Sequence, residues 1–207
     1  MRARERTLGI DDVGEGACDP VNIDAKSPFT GSHSRRTAEV AEALAGRLHL
    51  APGPTVEVRR AALLHDVGKL VMSRFVEPVD LKAIEMVREA GITRIQAETE
   101  VLGVNHAELG GLIATKWELP ETLVRGIAYH HVPQHPAARD EPGAGLIAYG
   151  VHVADVVAKA VGAGRDDNAE LETFAEAMGE LGLSADAYDE ICRLVRDRFS
   201  EVASRFT

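Results

Sequence analysis

The sequence has few aromatic residues and only two cysteines, and these absences restrict both its fold and its compartment. Aromatic side chains account for 4% of the 207 residues, whereas hydrophobic residues of all kinds account for 45%. A core must therefore be built from Leu, Val, Ile and Ala, which favours helices packed through aliphatic stripes. Cys18 and Cys192 lie far apart and in no paired motif, which excludes a disulfide framework and is typical of a reducing compartment.

Basic residues are also scarce, at 23 Lys and Arg against 33 Asp and Glu, and the formal net charge is -10. A chain this acidic gains little from counterion release, so DNA or long RNA is not expected as a partner. A small phosphoester is still compatible with the charge, because a bound metal ion can reverse the local field. No uncharged apolar run approaches the roughly 20 residues of a spanning helix, and residues 1–9 lack the apolar stretch of a signal peptide. We expect a cytoplasmic protein without membrane insertion.

The chain divides into a polar tail and one domain. Residues 1–22 are rich in Gly and Asp and show no sustained period, so they are expected to form an N-terminal tail. The remaining residues, 23–207, are enough for a single domain with its own core.

Helical patterns dominate this domain. Apolar residues recur at three- and four-residue intervals from near His33 to Leu48, which predicts a helix that ends at Pro52-Gly53-Pro54. A second helix is predicted from Val56 into His65-Asp66, with Gly68 loosening its end. Further helices are predicted over 79–90, 94–103, 106–117, 120–131, 144–162, 168–181 and 185–205, with 132–143 as the longest loop. No alternating strand pattern appears, so the predicted fold class is all-α, a compact bundle of short helices.

The last two predicted helices carry apolar residues at helical spacing. We expect these residues to belong to the core rather than to an interface. They are Leu171, Phe174, Met178, Leu181, Ile191, Leu194, Val195 and Phe199.

Five histidines and two aspartates stand among small apolar residues in or at the ends of predicted helices. They are His33, His65, Asp66, His106, His130, His131 and Asp155. A buried carboxylate without a partner costs several kcal/mol, on the order of a lost ion pair, so a cation should compensate it. Imidazoles and carboxylates without a thiolate suit Mn, Fe, Mg, Ni or Zn with open coordination positions. The pattern predicts a buried divalent-metal centre.

Single members of this set have simpler interpretations. Asp66 can pair with Lys69, and Asp155 can pair with Lys159, as neighbours on a helix surface. Histidines at a helix C-terminus are favoured electrostatically without any ligand, and His130 and His131 end the helix that is predicted to begin at Pro120. Packing alone would have to account for all seven positions at once, so the joint pattern favours the metal centre.

The surroundings of the other histidines leave further alternatives open. His33 lies near a predicted helix start, where a residue can be exposed. The glycines after His106 serve either close helix packing or room for a site. His49, His135 and His152 have no comparable setting and are interpreted as surface residues or as residues that support the site from behind.

These motifs resemble the HD superfamily of metal-dependent phosphohydrolases. Asp24 to Arg35 (DAKSPFTGSHSR) and Ala61 to Leu70 (AALLHDVGKL) resemble the first two motifs of the HD-GYP phosphodiesterase branch. The stretch from Glu100 to Pro133 looks more like the HDOD branch, a related signalling domain. The resemblance covers about residues 24–165 and implies an HD-domain helical bundle.

The resemblance also implies roles for individual residues. The five histidines and two aspartates would be ligands of two divalent ions, Asp66 would bridge them, and Lys69 would contact the substrate phosphate. Phe29 stands where a subset of the family has a glutamate for a third metal, so two ions are expected. The Gly-Tyr-Pro motif that accompanies hydrolysis of cyclic diguanylate is absent, and the 132–143 loop takes its place.

Two functions from different classes follow. The first is a phosphodiesterase that hydrolyses a small phosphoester, a nucleotide or signalling nucleotide, with a water activated by two metals and with Asp66 and Lys69 as catalytic residues. The second is a non-catalytic HDOD-type module that keeps the metal site and signals through a protein partner or a homodimer. The hybrid motif set and the missing Gly-Tyr-Pro motif favour the second.

Overall fold

The computed structural model describes residues 31–161 and 169–204. The predicted tail over 1–22, Phe29 and the beginning of the first motif lie outside the described residues. Within them the chain is helical and contains no strand, which confirms the all-α fold class.

The helices follow one another through short turns. They are α1 (Gly31–Arg47), α2 (Pro52–Leu64), α3 (Val67–Phe75), α4 (Pro78–Glu89), α5 (Arg94–Leu102), α6 (His106–Lys116), α7 (Glu121–Ala128), α8 (Ala144–Val161), α9 (Ala169–Glu180) and α10 (Ala185–Ser204). The predicted 132–143 loop is present and contains one 3₁₀ turn at Pro136–Ala138.

Helix α8 is the central element of the bundle. It packs against α1, α2, α7, α9 and α10, and its residues from Ile147 to Ala158 are buried. A helix that is apolar on nearly every side needs neighbours on every side, which explains its position. Among the described residues α8 alone is long and apolar enough to cross a membrane by length and composition, but 72% of that stretch is buried inside the protein, as in a core helix.

Glycines allow α3, α6 and α7 to approach one another closely. A Cβ at Gly68 of α3 would collide with the backbone carbonyl oxygen of His106. A Cβ at Gly111 of α6 would lie 2.7 Å from the Cβ of Ala128 in α7. The glycine pair after His106 therefore serves packing, which decides between the two sequence interpretations.

Three predicted boundaries are wrong. Pro52-Gly53-Pro54 forms the first turn of α2, where proline's missing N–H has no helical partner to lose. Helix α3 is not predicted from the sequence, because Gly68 was expected to loosen a helix end and instead lies at a helix crossing. The chain leaves helical geometry at Asp66 (φ -95°, ψ 10°) and restarts at Val67. Helix α7 ends at Ala128, so the histidine pair lies in the following turn.

The C-terminal helices supply part of the core, as expected. Met178, Ile191 and Val195 are buried, and Phe174 packs against them with Leu181. The expectation is wrong for Leu194, which is 41% exposed because it lies on the outer face of α10. The side chains of Leu171 and Phe199 lie outside the described residues.

Candidate metal centre

The fold brings all the predicted ligands to one place beside α8. His33 comes from α1, His65 and Asp66 from the break between α2 and α3, His106 from the first turn of α6, the histidine pair from the turn after α7, and Asp155 from α8. Their ligand atoms fall into three groups, and within each group the atoms lie within 4.8 Å of one another. The groups are His106, His130 and His131; His33, His65 and Asp66; and His65, His130 and Asp155.

The two carboxylates connect these groups. Oδ1 of Asp155 lies 2.7 Å from Nε2 of His33 and 3.6 Å from Nε2 of His65. Oδ2 of Asp66 lies 3.5 Å from Nε2 of His65, whereas its Oδ1 lies 3.4 Å from Nε2 of His106. Asp66 therefore directs one oxygen to His65 and the other to His106, which is the arrangement that a bridging carboxylate needs.

Backbone carbonyls orient two of the imidazoles. Nδ1–H of His65 donates to the carbonyl oxygen of Ala62 at 2.7 Å, and Nδ1–H of His130 donates to that of Ile127 at 2.7 Å. Because a carbonyl can only accept, these contacts place the lone pair on Nε2 in each neutral ring. Both Nε2 atoms are buried without a hydrogen-bond partner, which costs about 1–3 kcal/mol for each. The lone pairs face the cluster, so the residues fit a metal ion.

A buried glutamate orients a third imidazole. Oε2 of Glu98 accepts Nδ1–H of His106 at 2.6 Å and the backbone N–H of His106 at 2.9 Å, while Oε1 accepts Nε–H of Arg94 at 2.8 Å. Burial raises the pKa of Glu98, but the hydrogen bonds from His106 outweigh it and lower the pKa to about 2. Burial lowers the pKa of His106 to about 4. At neutral pH the pair is a carboxylate and a neutral imidazole.

The sequence prediction missed Glu98. Its partner His106 lies eight residues further along the chain, so no local motif marks the pair. A usable signal exists, because Ile95, Glu98 and Val101 are spaced by three residues and share one face of α5. An acid on that apolar face is 1% exposed and needs a partner.

Two lysines neutralise the carboxylates. Nζ of Lys69 lies 2.8 Å from Oδ1 of Asp66, and Nζ of Lys159 lies 2.9 Å from Oδ2 of Asp155. Burial raises the pKa of each aspartate, but the lysine ammonium groups and the nearby imidazoles hold both pKa values well below the usual range. The ion pairs considered from the sequence therefore exist, and the same two aspartates also belong to the buried cluster.

Charge also affects the imidazoles directly. Burial lowers the pKa of His65, but the carboxylates of Asp66 and Asp155 outweigh it and raise that pKa overall. Burial lowers the pKa of His130 well below its usual range. His130 is therefore neutral at physiological pH and available as a ligand, whereas the carboxylates beside His65 favour its protonated form in competition with a metal ion.

The three remaining histidines were interpreted from the sequence as surface or supporting residues, and the structure contains both kinds. His152 is 1% exposed, and its Nδ1–H donates to the backbone carbonyl oxygen of His130 at 2.8 Å, so it supports the site from behind. His49 and His135 are exposed. The ring of His135 stacks on Tyr129 with centroids 5.1 Å apart.

A cavity of about 220 Å³ opens beside His131. Its wall contains one cation, Arg94, and no acidic residue. The other lining residues are Thr93, Ile95, Gln96, Val132 and Thr173. The cavity therefore lies between one end of the imidazole cluster and a mainly apolar wall that carries one cation.

Comparison with known proteins gives a family and relatives. The HDOD domain family matches residues 24–133. A 3'3'-cGAMP-specific phosphodiesterase 3 of Vibrio cholerae is 35% identical over 109 residues, which are 53% of this chain and 21% of the relative. The chain thus spans about a fifth of that relative's length.

Solved structures share the helical arrangement. An HDOD domain protein with unknown function from Geobacter sulfurreducens superposes with a TM-score of 0.59 at 25% identity, over 84% of this chain and 59% of that one. The HD domain of the L. monocytogenes phosphodiesterase PgpH in complex with cyclic-di-AMP superposes with a TM-score of 0.53, over 88% of this chain and 95% of that one. At 17% identity the second similarity shows the fold alone.

Proposed function

Because the chain belongs to the HDOD domain family, we propose that it hydrolyses a small phosphoester, a nucleotide or signalling nucleotide, at a two-metal site. The family match confirms the predicted relationship to the HD superfamily. A relative that is a 3'3'-cGAMP-specific phosphodiesterase supports HD-type phosphohydrolase chemistry at the level of the family. Catalysis by this chain and its substrate are the proposal.

One observation carries the proposal. Two buried imidazole nitrogens, on His65 and His130, have no hydrogen-bond partner and converge with the carboxylates of Asp66 and Asp155. A divalent cation would satisfy both lone pairs and take the carboxylates as further ligands. We propose His33, His65, Asp66, His106, His130, His131 and Asp155 as the ligands of two divalent ions, chosen from Mn, Fe, Mg, Ni and Zn.

Such ions would supply Lewis acidity and an activated water. The chain's own residues have separable tasks. Asp66 directs Oδ2 towards His65 and Oδ1 towards His106, so its carboxylate connects the ligand groups that contain these two histidines. Lys69 has an ammonium at Asp66 and a side chain that is 26% exposed, so it can reach a phosphoryl oxygen and neutralise its charge.

The cavity beside His131 suits the part of the substrate remote from the cleaved bond. Arg94 gives its wall a positive charge, and Thr93 with Gln96 offers polar contacts. The V. cholerae relative acts on a cyclic dinucleotide, which supports a nucleotide as substrate. The absence of the Gly-Tyr-Pro motif from this chain argues against cyclic diguanylate.

Activity and metal content test the proposal together. The purified protein should contain about two metals per chain, as expected of a two-metal site, and when loaded with Mn²⁺ or Fe²⁺ it should hydrolyse bis(p-nitrophenyl) phosphate and one member of a nucleotide panel. Asp66→Ala should abolish turnover, whereas Asp189→Ala, at an exposed position of α10, should leave it unchanged. Wild type that is no faster than Asp66→Ala would overturn catalysis.

The second candidate is a non-catalytic signalling module that keeps the metal site. The HDOD match favours it, and so does exposed apolar surface on α3 and α4, where Phe75 is 56%, Val79 72% and Met86 62% exposed. Calorimetry with nucleotides, a pull-down and a measurement of the oligomeric state separate the candidates. Tight nucleotide binding without turnover, with a protein partner or a homodimer, would support the module.

A further inference from the structure

Glu98 occupies an unusual position for a glutamate. It is 1% exposed and accepts three hydrogen bonds, from Nδ1–H and the backbone N–H of His106 and from Nε–H of Arg94. Burying a carboxylate is costly even when it is paired. A residue retained under that cost needs a task that a neutral side chain would not perform.

Glu98 accepts the backbone N–H of His106 in the first turn of α6, but capping of the helix does not account for its contact with the imidazole ring. Asn105 already caps α6, because its side chain accepts the backbone N–H groups of Ala107 and Glu108. Glu108 completes a capping box with the backbone N–H of Asn105. The contact from Glu98 to the imidazole ring therefore adds nothing that the start of α6 lacks.

The geometry points to Glu98 as a positioning residue that fixes the metal-facing tautomer and orientation of His106, with Arg94 holding Glu98 in place. With Nδ1–H given to Glu98, the lone pair of the neutral ring lies on Nε2. That atom is 3.4 Å from Oδ1 of Asp66 and 3.0 Å from Nε2 of His131. A carboxylate behind a ligating imidazole fixes its tautomer and raises its basicity.

Arg94 connects Glu98 to the cavity as well as holding it in place. Its guanidinium binds Oε1 of Glu98, whereas His106 binds Oε2, and the same residue lines the cavity beside His131. The chain Arg94–Glu98–His106 thus runs from the cavity wall to the cluster. The inference rests on the proposed function only in taking Nε2 of His106 as a metal ligand.

Glutamine at position 98 provides a sharp test. Glutamate offers acceptors to all three donors, whereas the amide of glutamine has one acceptor oxygen and one donor nitrogen. In Glu98→Gln either His106 or Arg94 therefore faces a donor. Adding Arg94→Met removes the second donor, so the amide oxygen can return to His106 in the double variant.

The experiment measures binding of Co²⁺ alone by calorimetry, and histidine ring ¹⁵N shifts in the metal-free protein. Glu98→Gln should bind Co²⁺ about 10–100-fold more weakly than wild type and should lose the Nδ1–H signal that is assigned by its absence from His106→Gln. The Arg94→Met Glu98→Gln double variant should recover part of the affinity. Glu42→Gln, which loses an exposed ion pair with Arg59, should match wild type.

Co²⁺ affinity and ring shifts distinguish positioning from a merely structural role, because contacting residues can couple in stability with either sign. If Glu98 only stabilised the fold, Glu98→Gln would lower the free energy of unfolding and leave the Co²⁺ affinity and the His106 ring shifts of the folded protein unchanged. Additive losses, or unchanged Co²⁺ affinity with unchanged ring shifts in Glu98→Gln, would overturn the inference. Should Glu98→Gln fail to fold, Arg94→Met alone decides, because it should weaken Co²⁺ binding while the fold and the His106 tautomer persist.

Failure of the proposed function gives a different result. A wild-type protein that binds Co²⁺ but hydrolyses no phosphoester contradicts catalysis and leaves the role of Glu98 supported by affinity and ring shifts. A wild-type protein that binds no metal overturns both. Hydrolysis that persists with unchanged Co²⁺ affinity in Glu98→Gln overturns this inference alone.

Discussion

The side chain of His152 in the central helix donates its Nδ1–H to the backbone carbonyl oxygen of His130 at 2.8 Å. A core helix therefore holds the turn that carries the histidine pair, and the loop that follows is not needed to hold it. His152→Leu would leave that buried carbonyl without this donor and should lower the free energy of unfolding by about 1–3 kcal/mol. Urea unfolding of the metal-free protein measures the loss.

Lys82→Leu is the control, because Lys82 is an exposed residue of α4 and its replacement should change stability by less than about 0.5 kcal/mol. Metal content should fall in His152→Leu only. Equal stability and equal metal content in the two variants would show that the contact does not hold the turn.

Gly68 should not tolerate a side chain. Its Cβ would collide with the carbonyl oxygen of His106, so Gly68→Ala has to move α3 away from α6 and separate Asp66 from His106. We expect a loss of about 1–3 kcal/mol in unfolding free energy, as for overpacked cores, together with weaker binding of Mn²⁺.

Gly46→Ala tests whether helix propensity alone explains the effect. Gly46 lies in α1, and a Cβ there would meet nothing within 4 Å, so alanine should stabilise the protein by up to about 0.5–1 kcal/mol. Thermal unfolding and Mn²⁺ titration of both variants give the comparison. Stabilisation of Gly68→Ala would contradict the close packing of α3 on α6.

The sequence was sufficient for long periodic helices and for the residue types of the cluster. Imidazoles and carboxylates among Ala, Val and Leu are conspicuous, because such side chains rarely stand on apolar faces without a partner. Helix α3 could not be predicted in the same way. The role of Gly68 depends on its contact with α6, nearly forty residues away. A glycine at a helix end and a glycine at a helix crossing have the same local sequence pattern.

Glu98 and the cavity illustrate the other limit. An acid on an amphipathic helix is usually solvated, and only the apolar spacing of Ile95 and Val101 distinguishes Glu98 from its exposed neighbour Glu100. The cavity wall unites Arg94 of α5 with Thr173 of α9, which share no sequence spacing. Such sites arise from helix packing, so the sequence pattern alone does not contain them.

Acidification below pH 6.5 should destabilise the metal-free protein through His106. Burial lowers its pKa from 6.5 to about 4, so between these values the unfolded chain binds a proton that the folded chain excludes, and stability falls as pH falls. For Glu98, burial raises the pKa but His106 lowers it more, from 4.5 to about 2. Its stabilisation is present above pH 4.5 and is lost towards pH 2. Each group contributes a slope of at most about 1.4 kcal/mol per pH unit.

Urea unfolding between pH 6.5 and 4.5 isolates the contribution of His106. In His106→Gln the decline over this range should be shallower than in wild type. His65, whose pKa is raised mainly by Asp66 against the effect of burial, contributes in the opposite direction but is present in both proteins. Parallel curves for the two proteins would contradict a buried neutral imidazole at position 106.

Lys69 and Lys159 form equivalent ion pairs with two predicted ligands, and this equivalence separates catalysis from charge balance. Each ammonium lies within 3 Å of a buried carboxylate, Lys69 at Asp66 and Lys159 at Asp155. If the proposed function is correct, Lys69 also acts on the phosphoryl oxygens, so Lys69→Met should lower kcat/KM by about 10²–10³-fold, the usual effect of removing one electrostatic contact to developing charge.

Lys159→Met is the control, because it removes the same kind of ion pair. Both variants should keep their metal content, since divalent ions compensate the aspartates when they are bound, and only Lys69→Met should lose most of its turnover. Steady-state kinetics on bis(p-nitrophenyl) phosphate and elemental analysis provide the two measurements. Equal losses of turnover in both variants would mean that Lys69 only balances the charge of Asp66, and a metal-depleted Lys69→Met would mean that it supports the ligand rather than the substrate.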